Sequence, residues 1–165
     1  MKKINDIFEI IEKENILYEE ANLKNTHSKG IYFKVEDLPP VIAIEESIVK
    51  YTAIYISLLA EELGHHFTTQ GNLLETSKDY SEKLSKNKKE NIARKWAANY
   101  LLSDDDFVQA LLSCISNKYE MCEYFNITYE TLENKIKSIL KDEDKYIKIK
   151  SMFKIHEVQY NACNI

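Results

Sequence analysis

Two glutamates and two histidines lie within six residues of one another, at a spacing that suits metal-assisted hydrolysis. Glu61 and His65 are four residues apart, and Glu62 and His66 have the same separation. Residues four apart lie on one face of an α-helix. A carboxylate and an imidazole on one face can ligate one cation, while the neighbouring glutamate acts as a base on water, as in HExxH enzymes. Segment 58–67 therefore indicates a metal-binding helix.

The surrounding apolar residues favour the first of these two pairs. Ile54 and Leu58 continue the helical stripe on which Glu61 and His65 lie. If the apolar part of this stripe faces the core, both polar residues are carried inward, where unpaired charge costs several kcal/mol. The alternative is a simple Glu–His ion pair, because short motifs of this kind also match proteins that bind no metal.

A second helix offers a third ligand. Glu90, Ala93 and Ala97 share one helical stripe, so a carboxylate is followed on the same face by two small residues. Such a face can approach another helix closely, and Gly64 offers a matching bare surface on the first helix. Enough residues separate His65 from Glu90 for the chain to turn back and form an antiparallel helix packed on the first one.

These two helices together resemble a known family. EELGHH at residues 61–66 resembles the HELGHH helix of the ImmA/IrrE family of metallo-endopeptidases, and ENIARKWA at 90–97 with Leu101-Leu102 resembles its ExxAxxFAxxLL helix. The resemblance covers residues 16–140. It includes two strands before the first helix and a helical segment with a helix-turn-helix-like pattern after the second, at 30–32, 41–44, 106–107 and 124–128.

The resemblance implies a zincin-like metal site. Glu61, His65 and Glu90 would hold Zn²⁺ and Glu62 would be the catalytic base. The family has a histidine where this chain has Glu61; a glutamate oxygen is an acceptable zinc ligand, but two carboxylates make Mn²⁺ or Fe²⁺ more competitive. Three outcomes stay open: an active peptidase, a site for another metal, or a metal-free scaffold. We favour the first because all four positions keep metal-compatible side chains.

If the protein is an active peptidase, roles can also be assigned to the residues around the metal ligands. Glu62 takes a proton from water and later gives it to the leaving amine. His66 is expected to support the site from outside the ligand set or to pack, because its helical partner Glu62 is the base. Tyr100 is a candidate for stabilising the oxyanion, with core packing as the alternative. By resemblance, the substrate is a helix-turn-helix repressor of a prophage or integrative element; the alternative is an inactive scaffold that binds a repressor or antitoxin.

The predicted fold class is α+β, mostly helical, with a small N-terminal β-sheet packed on a helical bundle. Only three glycines and two prolines interrupt the 165 residues, which favours helix. Residues 1–140 are expected to form one domain and 141–165 a C-terminal tail. The metal helices are expected near 48–68 and 88–102, and the helix-turn-helix-like unit near 104–140.

Charge argues against direct nucleic-acid binding. The chain has 22 basic and 27 acidic residues, a net charge of −5, whereas nucleic-acid binders carry a basic excess. Residues 104–144 hold ten acids and four lysines, and Glu130 and Glu133 lie in the helix that would face phosphates. A DNA-binding regulator is therefore the less favoured function.

The expected location is the cytoplasm. The amino terminus alternates apolar with charged residues, as an amphipathic helix does and a signal peptide does not, and no apolar run reaches the ~20 residues that span a membrane. The three cysteines have no CxxC spacing, and we predict three reduced thiols.

Overall fold

The computed structural model describes residues 4–26, 28–69 and 80–155, which form seven α-helices and one three-stranded sheet. The α+β prediction, mostly helical with a small N-terminal sheet, is confirmed. In chain order the elements are α1 (Ile4–Lys13), β1 (Leu17–Ala21), β2 (Gly30–Phe33), β3 (Val41–Glu45), α2 (Thr52–Thr68), α3 (Tyr80–Leu101), α4 (Asp104–Leu112), α5 (Lys118–Phe125), α6 (Tyr129–Leu140) and α7 (Glu143–Ile155).

The sheet has the order β1-β3-β2. The central strand β3 runs parallel to β1 and antiparallel to β2. Its residues Ile42 and Ile44 are fully buried, and Tyr32 of β2 is buried beside them. Because alternate residues of a strand point to one face, these side chains form the sheet's contribution to the core.

Helix α2 begins at Thr52, four residues later than expected. Residues Glu46–Ile48 instead form a 3₁₀ turn, in which the Glu45 side chain accepts a hydrogen bond from the Ser47 amide. The apolar residues Leu59 and Leu63 are fully buried. Ile54 is 38% exposed, so the stripe that leads to Glu61 is not buried along its whole length.

Helix α3 packs against α2 with almost no space between the backbones. It spans 22 residues and begins at Tyr80 rather than near 88, because its lysine-rich first half contains good helix formers. Ala93 and Ala97 are buried. A Cβ atom at Gly64 would lie 2.6 Å from the Ala93 carbonyl oxygen. The expected close approach of the two helices is therefore present.

The helix-turn-helix-like unit, α4 to α6, is docked on α2 and α3. Asn126 ends α5 in the left-handed conformation with φ of 52°, and Thr128 caps α6. The Thr128 amide donates to Ser57 Oγ at 3.0 Å, and Thr52 Oγ1 donates to Asn126 Oδ1 at 3.1 Å. These bonds hold the α5–α6 turn against α2.

A buried lysine holds α6 against α3 and α4. Lys135 is 1% exposed, and its ammonium donates to Asp104 Oδ1 at 2.6 Å and to Asn99 Oδ1 at 3.0 Å. A buried charge is tolerated only when it is paired and hydrogen-bonded. The pair fixes the position of α6 relative to the helix that carries Glu90.

The region expected as a tail contains helix α7, from which Ile149 reaches the core; residues 156–165 lie outside the described part of the chain. No helix among the described residues is long and apolar enough to cross a membrane. Cys122 is a free thiol, but Cys114 is disulfide-bonded. The prediction of a reduced thiol is therefore confirmed for Cys122 and wrong for Cys114, and Cys163 lies outside the described residues.

We expect Gly64→Ala to destabilise the protein. The added methyl group would meet the Ala93 backbone, which cannot rotate away, and overpacking of this kind costs about 1–3 kcal/mol. The gain in helix propensity, up to about 1 kcal/mol, offsets only part of that cost. Urea unfolding monitored by circular dichroism would measure the change. An unchanged or increased free energy of unfolding would contradict the close packing.

Candidate metal centre

Helices α2 and α3 bring the three expected ligands together. One ligand atom each from Glu61, His65 and Glu90 lies within 4.8 Å of the others. His65 Nε2 is 3.3 Å from Glu90 Oε2. Ligands bound to one zinc ion at about 2.1 Å lie up to about 4 Å apart, so small side-chain rotations would suffice. In the described ranges, this is the one such group of potential ligands.

The imidazole of His65 is oriented from both sides. It is 3% exposed, and its Nδ1 lies 3.2 Å from Thr69 Oγ1 while Nε2 faces Glu90. Ligating histidines characteristically use their second ring nitrogen in this way, which fixes the tautomer and the ring plane. Sequence reasoning missed Thr69, although its spacing of four from His65 was a usable signal.

Glu62 is buried beside this cluster, in the position expected for a base. Its side chain lies against β2: the Tyr32 amide donates a hydrogen bond to it, and a Cβ at Gly30 would lie 2.6 Å from its Oε1. Burial, followed by the charges of Glu61 and Glu90, raises the pKa of Glu62 to about 8. A carboxyl group with a pKa near neutrality is suited to accept and return a proton.

Arg94, which sequence reasoning also missed, contacts the first expected ligand. Its Nε donates to Glu61 Oε1 at 2.8 Å and its Nη1 to Glu130 Oε1 at 2.8 Å. Burial raises the pKa of Glu61, and Arg94 opposes that rise. The hydrogen bond to His65 holds the pKa of Glu90 below its usual value. Arg94 lies four residues after Glu90 and therefore on the same face of α3. This spacing could have indicated Arg94 from the sequence.

His66 lies outside the ligand group. Its Nδ1 is 3.1 Å from the Tyr32 hydroxyl, and its Nε2 is 3.6 Å from Glu14 Oε2. Its ring also packs edge-on against Phe67. One ring nitrogen thus faces β2 and the other faces Glu14, just after the end of α1, so the residue ties α2 to both segments.

Tyr100 lies in an aromatic row. Its ring stacks on Trp96 at 5.0 Å between centroids, and Trp96 stacks on Phe67 at 5.1 Å. Burial raises the pKa of its hydroxyl, and the nearby charges of Asp6 and Glu9 add to the rise. The structure does not bring Tyr100 into the group formed by the three potential ligands.

A cavity opens beside Glu61. It has a volume of about 190 Å³ and is lined by apolar side chains of α2, by polar groups of α6 and by Arg94. Ile54 and Leu58 face this cavity, which explains why their stripe is not packed into the core. Of the three potential ligands, Glu61 lines this cavity.

The raised pKa of Glu62 predicts a pH dependence of stability. Between the unperturbed value of 4.5 and the folded value of about 8, the folded state binds more protons than the unfolded state, so the free energy of unfolding of the metal-free protein falls as pH rises. Glu62→Gln cannot ionise, and its stability should fall less over this window. Denaturant titrations with chelator at several pH values would measure this, and parallel pH curves for the two proteins would contradict it.

Comparison with known proteins identifies a family that matches most of the chain. The family model Peptidase_M78, described as the IrrE N-terminal-like domain, matches residues 11–137, more than three quarters of the chain. No curated protein and no solved structure gives a significant match. The matched region contains α2 to α5 and ends within α6. The chain belongs to the IrrE N-terminal-like family of M78 peptidases.

Proposed function

We propose that this protein is a metal-dependent endopeptidase whose metal is held by Glu61, His65 and Glu90. Family membership supports a metallopeptidase-type function and a protein substrate. The observation that carries the proposal is the convergence of an imidazole and two carboxylates from two helices. We propose zinc as the metal, with Mn²⁺ or Fe²⁺ as alternatives because the donor set has two oxygen ligands and one nitrogen.

The chain's own residues supply the proton transfers. A bound divalent metal would supply Lewis acidity to polarise the scissile carbonyl. The Glu62 carboxylate takes a proton from the attacking water and delivers it to the amide nitrogen as the C–N bond breaks. Burial behind β2 keeps this carboxyl group away from bulk water, so the proton stays on the Glu62 carboxyl oxygens between the two steps.

The finer proposal concerns the substrate and the location. By family resemblance, the substrate is a helix-turn-helix repressor of a prophage or integrative element, cleaved in the cytoplasm. The cavity bounded by Ile54, Leu58 and Arg94 suits a segment with apolar and hydrogen-bonding side chains. Direct DNA binding is not proposed, because Lys135 is buried and paired with Asp104, which leaves α6 short of a basic face.

A second candidate function is a catalytically inactive scaffold that binds a repressor or antitoxin. The observation that favours it is the ion pair between Glu61 and Arg94. A guanidinium already neutralises the carboxylate that stands where the family has a histidine, so the fold does not need a metal to compensate that charge. The two candidates differ in whether the chain retains metal and cleaves.

Metal content and cleavage should separate these functions. Protein purified without chelator and supplemented with zinc is expected to hold one divalent ion per chain. It should cleave a helix-turn-helix repressor encoded beside its gene, as measured by intact mass spectrometry. Glu62→Gln should lower the cleavage rate by about 10²–10⁴-fold, the usual contribution of general acid–base catalysis, while retaining the ion.

His65→Ala is the matched control, because it should lose both the metal and the cleavage. Binding of the repressor without cleavage, by a protein that takes up no metal after supplementation, would establish the scaffold and refute the peptidase. Unimpaired cleavage by Glu62→Gln would remove Glu62 from its proposed role.

A further inference from the structure

The guanidinium of Arg94 connects three helices at the edge of the candidate metal centre. From α3 it reaches Glu61 on α2 through Nε and Glu130 on α6 through Nη1, both at 2.8 Å. Arg94 is itself only partly exposed. Charge-assisted hydrogen bonds are stronger than neutral ones, and the bond to Glu61 is the main anchor, because Glu61 is 21% exposed and Glu130 is 64% exposed.

Only one oxygen of Glu61 is used in this contact. Arg94 Nε bonds Oε1, and Oε2 makes no hydrogen bond to any residue in the described ranges. Arginine–carboxylate pairs are frequently bidentate, with two parallel bonds that occupy both oxygens. Here a single nitrogen, Nε, bonds Glu61 while Nη1 bonds Glu130, which leaves one oxygen of Glu61 available to a cation.

We propose that Arg94 is a positioning residue that holds Glu61 in place as a metal ligand. The proposal rests on the proposed metal site. A glutamate side chain has more rotatable bonds than a histidine, so ordering it on metal binding costs more conformational entropy. Because Arg94 already anchors the carboxylate, less conformational entropy is lost when a metal binds, which is the general benefit of preorganisation.

The same geometry gives the helix-turn-helix-like unit a part in the site. Glu130 lies in the first turn of α6, and α6 is held against α3 by the buried Lys135. The unit thereby fixes the far end of the Arg94 side chain. Glu130→Gln should weaken metal binding less than loss of Arg94 does, because the direct bond to Glu61 remains.

The test is the metal affinity of Arg94→Gln. Dissociation constants for Zn²⁺ and Mn²⁺ are measured by competition with a chromophoric chelator, and far-UV circular dichroism checks that the variant is folded. We expect binding to weaken about 10–100-fold, the usual effect of removing a partner of a metal ligand. Lys95→Gln is the matched control: it removes the same charge from the next residue, which is exposed, and should leave the affinity unchanged.

A double-mutant cycle with Glu61→His separates positioning from a general structural role. An imidazole at residue 61 needs no guanidinium to hold it, so Arg94→Gln in that background should leave the affinity unchanged or raise it. An equal loss in both backgrounds would overturn the proposal, as would unchanged or tighter binding by the single Arg94→Gln variant. If neither the natural chain nor Glu61→His binds zinc, the metal site itself fails and the proposal falls with it.

Discussion

The contact between the Gly64 backbone of α2 and the Ala93 backbone of α3 determines where every group of the site lies. A side chain at residue 64 would meet the Ala93 carbonyl, so the two helices can approach this closely only over glycine. That approach brings Glu90 within 3.3 Å of His65. A wider separation would leave a buried imidazole without its carboxylate and would place the third potential ligand beyond the reach of one ion.

The close approach also concentrates negative charge. Glu61, Glu62 and Glu90 lie near one another in a region of limited solvent access, and this arrangement costs free energy unless cations compensate it. In the described structure the compensation comes from Arg94 and from proton uptake by Glu62, whose pKa is raised to about 8. A divalent cation would provide the same compensation. Metal uptake and the charge state of these groups are therefore physically linked.

Much of the site could be predicted from sequence, because its signals are local. The spacing of Glu61 and His65 places both residues on one face of a helix. The small residues after Glu90 mark one face of a second helix, and the structure brings the two faces together. Arg94, Thr69 and Tyr32 were missed because their roles depend on which rotamer and which neighbouring element each side chain reaches. Pattern periodicity does not contain that information.

The fold, like the site, could be predicted from the sequence only in part. The fold class and the strands near 30–32 and 41–44 could be predicted, whereas the beginnings of α2 and α3 could not. A 3₁₀ turn capped by Glu45 delays α2, and a solvated lysine-rich segment extends α3 toward the amino terminus. A stripe of apolar residues does not tell whether it faces the core; Ile54 lines a cavity, because the turn at Thr128 contacts α2 there.

X-ray absorption at the zinc edge, on protein loaded with one equivalent of zinc, would show which atoms bind the ion. We expect a first shell of nitrogen and oxygen atoms at about 2.0–2.2 Å, with the multiple-scattering signature of a single imidazole and no sulfur. Glu61→Ala should change that shell. A sulfur ligand near 2.3 Å, the absence of an imidazole, or an unchanged spectrum for Glu61→Ala would contradict a metal site formed by Glu61, His65 and Glu90.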